Sequence, residues 1–275
     1  MAIIALVAAG CGLAVALWRV LGNLPDVKTL AVERPSTTAF IERFRAEQRT
    51  IGKSDRVEWR WVPFDSISPS LKVAVVASED IGFFSHHGFA VDEMKEALSQ
   101  ALRARAAPRG ASTITQQLAK NLWLSPSRDP FRKLREAMLT ARLERALTKR
   151  RILEIYLNVV QFGPGLYGAE AASAHYFGKP ASDLTDHESA QLATGLPRPR
   201  TWNPASASRS YQRQVARLEA RAARATFLRS RLGETRAGTD AFAVDTGFTS
   251  FLRSDTLFKA DTLFDGVRED STVQP

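Results

Sequence analysis

Between Pro130 and Leu147, apolar residues recur in two stripes, Leu134–Met138–Ala141 and Leu139–Leu143–Leu147. Residues three and four apart share a face only on an α-helix. Two apolar stripes around one helix imply burial on most sides, so the spacing predicts a central helix with other elements packed about it. Neighbouring segments obey the same period. Leu71, Val75 and Ser78 share a face of a helix that ends near Glu79, Asp92 caps a helix running to about Arg105, and Thr113–Leu122 and Ile152–Val159 read as two more. Thr185-Asp186-His187-Glu188 is a capping box whose helix closes at Gly195 and Pro197. Tyr211–Leu232 reads as one Arg- and Ala-rich helix with its basic face in solvent, and Val57–Val62 alternates as a short strand. The fold class is mainly α.

The ends of the chain differ in kind. Met1–Trp18 carries no charge and is extended by Val20 and Leu21, about the length needed to cross a hydrocarbon core of roughly 30 Å. No basic leader precedes it and no small-residue cleavage site follows, which favours an uncleaved transmembrane helix over a signal peptide. The expected organisation is an anchor at residues 1–21, a linker with a short helix at 22–55, a catalytic domain at 56–232 and a disordered tail at 233–275. In the tail, Asp255-Thr256-Leu257-Phe258 recurs as Asp261-Thr262-Leu263-Phe264, too short a repeat for a solenoid. A net charge of +9 admits nucleic acid, anionic lipid or a phosphate-bearing substrate. Without a helix-turn-helix, zinc spacing or RNA-binding aromatic motif, the expectation is membrane lipid and no nucleic acid. The single cysteine, Cys11, excludes an internal disulfide and a thiolate metal site.

Chemistry concentrates between Arg109 and Glu136. Gly110-Ala111-Ser112-Thr113 offers a flexible backbone and several donors, suited to cradling an anion. Lys120, Arg128, Arg132 and Lys133 add positive charge, and Arg132 and Glu136, four apart, share a helical face. On these residues alone two readings stand: a helix with surface ion pairs, or a carboxylate in a cationic pocket that acts on an anionic substrate.

The order of motifs decides between them. Gly110–Asn121 (GASTITQQLAKN), followed by Arg132–Glu136 (RKLRE), resembles the second and third motifs of the bacterial peptidoglycan glycosyltransferases, family 51 of the glycosyltransferases. Glu79–Gly88 matches the first motif of that family, E-D-x-x-F-x-x-H-x-G, and Lys149–Asn158 resembles the fourth. The likeness covers about residues 60–204. The fifth motif has no clean match; Arg213–Leu218 is nearest, with Arg217 in place of a valine.

The resemblance implies a lysozyme-like helical lobe with a smaller membrane-facing lobe, anchored in the cytoplasmic (inner) membrane with the domain outside the cytoplasm. It implies transfer, with inversion, of a growing glycan held as a lipid pyrophosphate to the sugar hydroxyl of lipid II. Glu79 is then the base, and Lys120, Arg128, Arg132 and Lys133 are the cations facing the diphosphate. Glu136 orients those cations or the sugar, while Ser112, Gln117 and Asn121 supply hydrogen bonds to substrate. Asp80 is read equally as a brace for the Glu79 turn and as a substrate contact. Phe83 is read as a core or lipid-facing aromatic, His86 as a structural histidine, and Glu154 and Asn158 as packing residues. No metal-ligand set and no required cofactor are expected, and a divalent cation assisting the diphosphate is left open. Partners are lipid II, the growing strand, membrane lipid and recruiting proteins of cell-wall synthesis or division.

Two rivals remain, a lytic transglycosylase or lysozyme-like hydrolase and a non-catalytic scaffold of cell-wall assembly. Against the first stands the cationic cluster, since glycan cleavage releases no pyrophosphate. Against the second stands the intact set of Glu79, Lys120, Arg128 and Glu136.

Overall fold

Local capping chemistry sets most of the helix starts. In a computed structural model, which describes Gly12 and residues 24–90, 112–124 and 130–232, a 3-10 turn at Lys28–Ala31 is followed by α1 (Ala39–Thr50). Thr38 caps α1 by accepting the Ile41 N–H at 3.1 Å. The short strand β1 (Glu58–Trp59) and a 3-10 turn at Phe64–Ser66 lead to α2 (Pro69–Glu79). Ser68 caps α2 through the Leu71 N–H at 3.2 Å, and Pro69 occupies the first turn, where a missing N–H costs nothing. Thr113 and Gln116 form a reciprocal capping box at the start of α3 (Ile114–Trp123). After α4 (Pro130–Ala146), Thr148 caps α5 (Lys149–Val159).

The strands β2 (Gln161–Gly163) and β3 (Leu166–Tyr167) complete a three-stranded sheet in the order β1–β3–β2. β1 runs parallel to β3 in the register Glu58–Leu166 and Trp59–Tyr167, and β2 runs antiparallel to β3. The chain continues through α6 (Ala169–Phe177), a 3-10 turn at Ala181–Asp183, α7 (Asp186–Gly195), α8 (Arg209–Arg224) and α9 (Thr226–Arg231). The Thr185–Glu188 capping box opens α7 as the sequence indicates. The described chain is mainly helical.

Two helices form the interior. α2 packs on α7 and α8 and buries every residue from Leu71 to Ala77. α5 packs with α3 and buries Ile152, Leu153, Ile155, Tyr156, Leu157, Asn158 and Val159. Asn158 sits in this apolar run because all its polar groups are met. Its amide exchanges two 2.9 Å bonds with the Val62 backbone, and its own carbonyl accepts the Trp59 indole N–H at 2.7 Å. Glu154 pairs with Arg151 at 3.0 Å. Asn158 is thus a packing residue, and Glu154 is held in an ion pair along the same helix.

Two expectations need correction. α4 is not the central helix. Its Leu139 and Leu143, with Leu147 just beyond it, are buried, but Leu134 is 46% exposed and Phe131 42%. Arg132, Lys133, Arg135, Arg142 and Arg145 are distributed around α4, and full burial would desolvate all five charges. Residues 211–232 are two helices rather than one. Ala225 breaks the run, and the turn directs Ala225, Leu228 and Leu232 into the core.

Residues 22–55, expected as a linker with a short helix, contain α1, whose Ile41 and Phe44 are buried with Tyr167. The anchor at 1–21, the helix from Asp92, Arg128 and the tail at 233–275 lie outside the described residues, Gly12 apart.

One-sided burial of α4 has a direct consequence for stability. Leu143→Ala is expected to cost about 2–5 kcal/mol, whereas Leu134→Ala is expected to fall within about 0.5 kcal/mol of the parent. Denaturant melts of both variants check this, and equal losses would restore α4 to the centre.

Candidate active site

The site begins where α2 ends. Glu79 is the last residue of α2, and Asp80 leaves the helix with extended backbone (φ −166°). The Asp80 side chain is buried and uses both oxygens. One accepts the Ile114 N–H at 3.0 Å, and the other lies 2.9 Å from His86 Nε2. The Gly88 N–H donates to His86 Nδ1 at 3.1 Å, so the neutral ring carries its proton on Nε2 and donates to Asp80. Thr113 closes the same junction, its hydroxyl donating to the Gly88 carbonyl at 2.8 Å. Asp80 and His86 are therefore braces, and the N-terminus of α3 is tied to the loop that follows Glu79.

Gly88 is required at this point. It adopts φ +86°, and a Cβ there would lie 2.7 Å from Thr140 Cγ2 and 2.9 Å from Glu144 Cγ of α4. Glu144 accepts the Thr115 hydroxyl at 2.5 Å and Lys149 Nζ at 2.8 Å. Lys149 in turn stands 4.5 Å above the ring of Phe83, which is fully buried. Burial holds the Lys149 pKa below its ordinary value, and Glu144 and Asp80 offset only part of that. The first, second and fourth sequence motifs are thereby braced against α4, the helix that carries the third.

With α3 held in place, Gln117 reaches Glu79, its Nε2 donating to Oε2 at 2.8 Å. Glu79 keeps an opening to the surface, yet burial of its carboxyl pushes the pKa upward; the Gln117, Ser78 and Lys120 contacts oppose that rise and Asp80 adds to it. One turn along α3, the Lys120 ammonium is lowered by burial, raised by Glu136, lowered by Arg132 and Lys133, and raised by Glu79. Lys120 thus lies in the field of both carboxylates. On α4, Glu136 is buried, pairs with Lys133, and accepts from Arg132 NH1 at 3.4 Å. Asn121 is buried on α3 and Ser112 is exposed just before it.

Glu79, Gln117, Lys120, Glu136, Arg132 and Lys133 thus form one chain of contacts and fields running from α2 through α3 to α4. Arg128 lies outside the described residues. One participant escaped sequence reasoning. Tyr156 of α5 is fully buried, and its hydroxyl donates to Gln117 Oε1 at 2.9 Å. The available signal was a phenol in an otherwise aliphatic helix face, since a buried hydroxyl must find a partner. Among the described residues no group of three or more His, Cys, Asp or Glu side chains could hold a metal ion.

The arrangement offers a proton acceptor with a raised affinity at one end and a group of fixed cations at the other, which suits transfer of an anionic donor to a hydroxyl. A family model described as Transglycosylase matches residues 47–224. The biosynthetic peptidoglycan transglycosylase of Azoarcus sp. (strain BH72) is 49% identical over 187 residues, spanning 68% of this chain and 80% of that protein. Its namesake from Thiobacillus denitrificans is 44% identical over 185 residues, spanning 67% and 80%, and that from Laribacter hongkongensis is 42% identical over 187 residues, spanning 68% and 82%.

The brace at Asp80 is open to test. Asp80→Asn leaves one acceptor where two are needed, in a buried position. It is expected to lose about 1–3 kcal/mol in a denaturant melt, and an unchanged midpoint would show that the junction does not hold α3.

Proposed function

This chain belongs to the Transglycosylase family, and from that membership we propose how its residues divide the work. It is a peptidoglycan glycosyltransferase that polymerises lipid II into glycan strands. The sugar hydroxyl of lipid II attacks the anomeric carbon of the growing strand. Its proton passes to Glu79, and the bond to the lipid diphosphate breaks with inversion. A carboxylate whose proton affinity is raised by burial is matched to this task. Lys120, Arg128, Arg132 and Lys133 take up the charge of the leaving diphosphate, and Glu136 orients Arg132 and Lys133. Ser112 and Asn121 serve as hydrogen-bonding groups for substrate. The observation that carries the assignment is that Lys120 lies in the fields of both Glu79, bonded to Gln117, and Glu136, paired with Arg132 and Lys133.

The enzyme acts on the cell wall and belongs to the envelope. We assign residues 1–21 as the anchor, 22–55 as the connection to it, 56–232 as the catalytic domain, divided into a lysozyme-like lobe and a smaller membrane-facing lobe, and 233–275 as a tail. The uncharged run Met1–Trp18 supports the anchor; no helix among the described residues is long and apolar enough to cross a membrane. Glycan cleavage is the weaker reading, because it has no use for the cations.

Purified, detergent-solubilised enzyme incubated with lipid II is expected to give polymer that lysozyme digests. Glu79→Gln preserves size and hydrogen bonding but removes basicity. It is expected to lose about 10²–10⁴ in rate while lipid II affinity holds and the melting temperature does not fall. Glu136→Gln is expected to weaken lipid II binding together with rate, because it releases Arg132 and Lys133. Near wild-type polymerisation by Glu79→Gln, or a defect confined to binding, would remove Glu79 from the role of base.

A further inference from the structure

The Gln117 amide has two ends, and the structure holds each against a different partner. Its Nε2 faces Glu79 Oε2 at 2.8 Å, with the Ser112 carbonyl a long second acceptor at 3.5 Å, and its Oε1 faces the Tyr156 hydroxyl at 2.9 Å. We propose that Tyr156 is a positioning residue for the transfer reaction, fixing the Gln117 amide so that it always presents a donor, never an acceptor, to Glu79. This rests on the reading of Glu79 as the base.

The argument is one of hydrogen-bond polarity. An ionised carboxylate only accepts, so it needs the NH₂ end of the amide. If the amide turned over, Oε1 would face the carboxylate, and that arrangement is favourable only when Glu79 carries a proton. A part-buried glutamine with no partner for its oxygen, held only by the long bond to the Ser112 carbonyl, could adopt either orientation as Glu79 cycles. It would then stabilise the protonated carboxyl after the acceptor hydroxyl has given up its proton. Tyr156 removes that freedom. Its ring is fully buried in α5, and its hydroxyl donates to Oε1. Burial and the nearby carboxylates of Glu79 and Asp80 hold the phenol well above its ordinary pKa, so it stays a donor throughout. Each turnover therefore ends with the amide set against retention of the proton on Glu79.

Other groups also set the charge state of Glu79. Ser78 and Asp80 come from its own segment, and Lys120 comes from α3 with Gln117. Beyond Lys120 stand Glu136, Arg132 and Lys133 of α4. Tyr156 differs from all of these because its hydrogen bond reaches Glu79 only through the amide. Its loss should consequently be visible only while Gln117 is present.

The test is the pH dependence of kcat/KM for lipid II polymerisation by the full chain in detergent. The variants are Tyr156→Phe, Gln117→Met, both together, and Glu79→Gln. With Tyr156→Phe the acid limb is expected to move up by about 0.5–1 pH unit, the worth of one neutral hydrogen bond expressed as a pKa change. Rate should recover toward wild type on the alkaline plateau, with KM near the parent value. Gln117→Met should move the limb in the same direction by at least as much, and the double variant no further than Gln117→Met alone.

A limb that stays at the wild-type position in Tyr156→Phe, whatever the drop in overall rate, overturns the proposal, as does a double variant that shifts by the sum of the singles. If Tyr156→Phe does not fold, Gln117→Met decides, and an unmoved limb there sinks the idea equally. Glu79→Gln separates the two levels. Loss of polymerisation in Glu79→Gln with an unmoved limb in Tyr156→Phe defeats the relay alone. Retained polymerisation in Glu79→Gln defeats the base assignment on which the relay rests.

Discussion

The placement of α3 beside Glu79 depends on the buried carboxylate of Asp80. One oxygen holds the first N–H of α3 and the other holds the His86 ring, which is itself fixed by the Gly88 N–H. A carboxylate at a helix N-terminus meets both an unsatisfied donor and the positive end of the helix dipole. A single side chain thereby docks α3 beside the end of α2. Gln117 can then reach Glu79, and Lys120, one turn further on, faces α4. The second brace, Glu144 with Thr115 and Lys149, sets α4 against the same junction.

Placing an ionisable carboxylate here works against stability. The folded pKa of Glu79 lies above the unfolded value, so the native state holds this proton more tightly than the denatured chain does. The contribution of Glu79 to stability is therefore fully present below the unfolded value and is lost as pH rises through the folded one. Above the folded value its ionised form opposes folding. Gln117 and Lys120 moderate that cost by favouring the charged carboxylate. Glu136 is treated differently, since Arg132 and Lys133 occupy both of its oxygens. Two carboxylates within one cationic field thus have opposite commitments, one free to exchange a proton and one bound to cations.

Much of this was legible in the sequence because it is local. The Thr113 and Thr185 capping boxes, the end of α2 at Glu79 and the spacing of Arg132 and Glu136 are all short-range consequences of residue type. Packing is not local, and there the reading failed. The stripe through Leu134 has the period of a buried face, but nothing in that period weighs the five basic side chains that keep α4 at the surface. The break at Ala225 is set by where Leu228 and Leu232 find the core, although alanine alone favours continuation. The part played by Tyr156 was hidden because its partner lies 39 residues away on another helix.

The central claim is that the fold holds Glu79 as a carboxyl with raised proton affinity, open to the surface and supported by Gln117. A carbon-13 NMR titration of the Glu79 side-chain carboxyl in selectively labelled, substrate-free enzyme measures this without recourse to turnover. The account requires a midpoint above the ordinary glutamate value of 4.5. A midpoint at or below that value would contradict it.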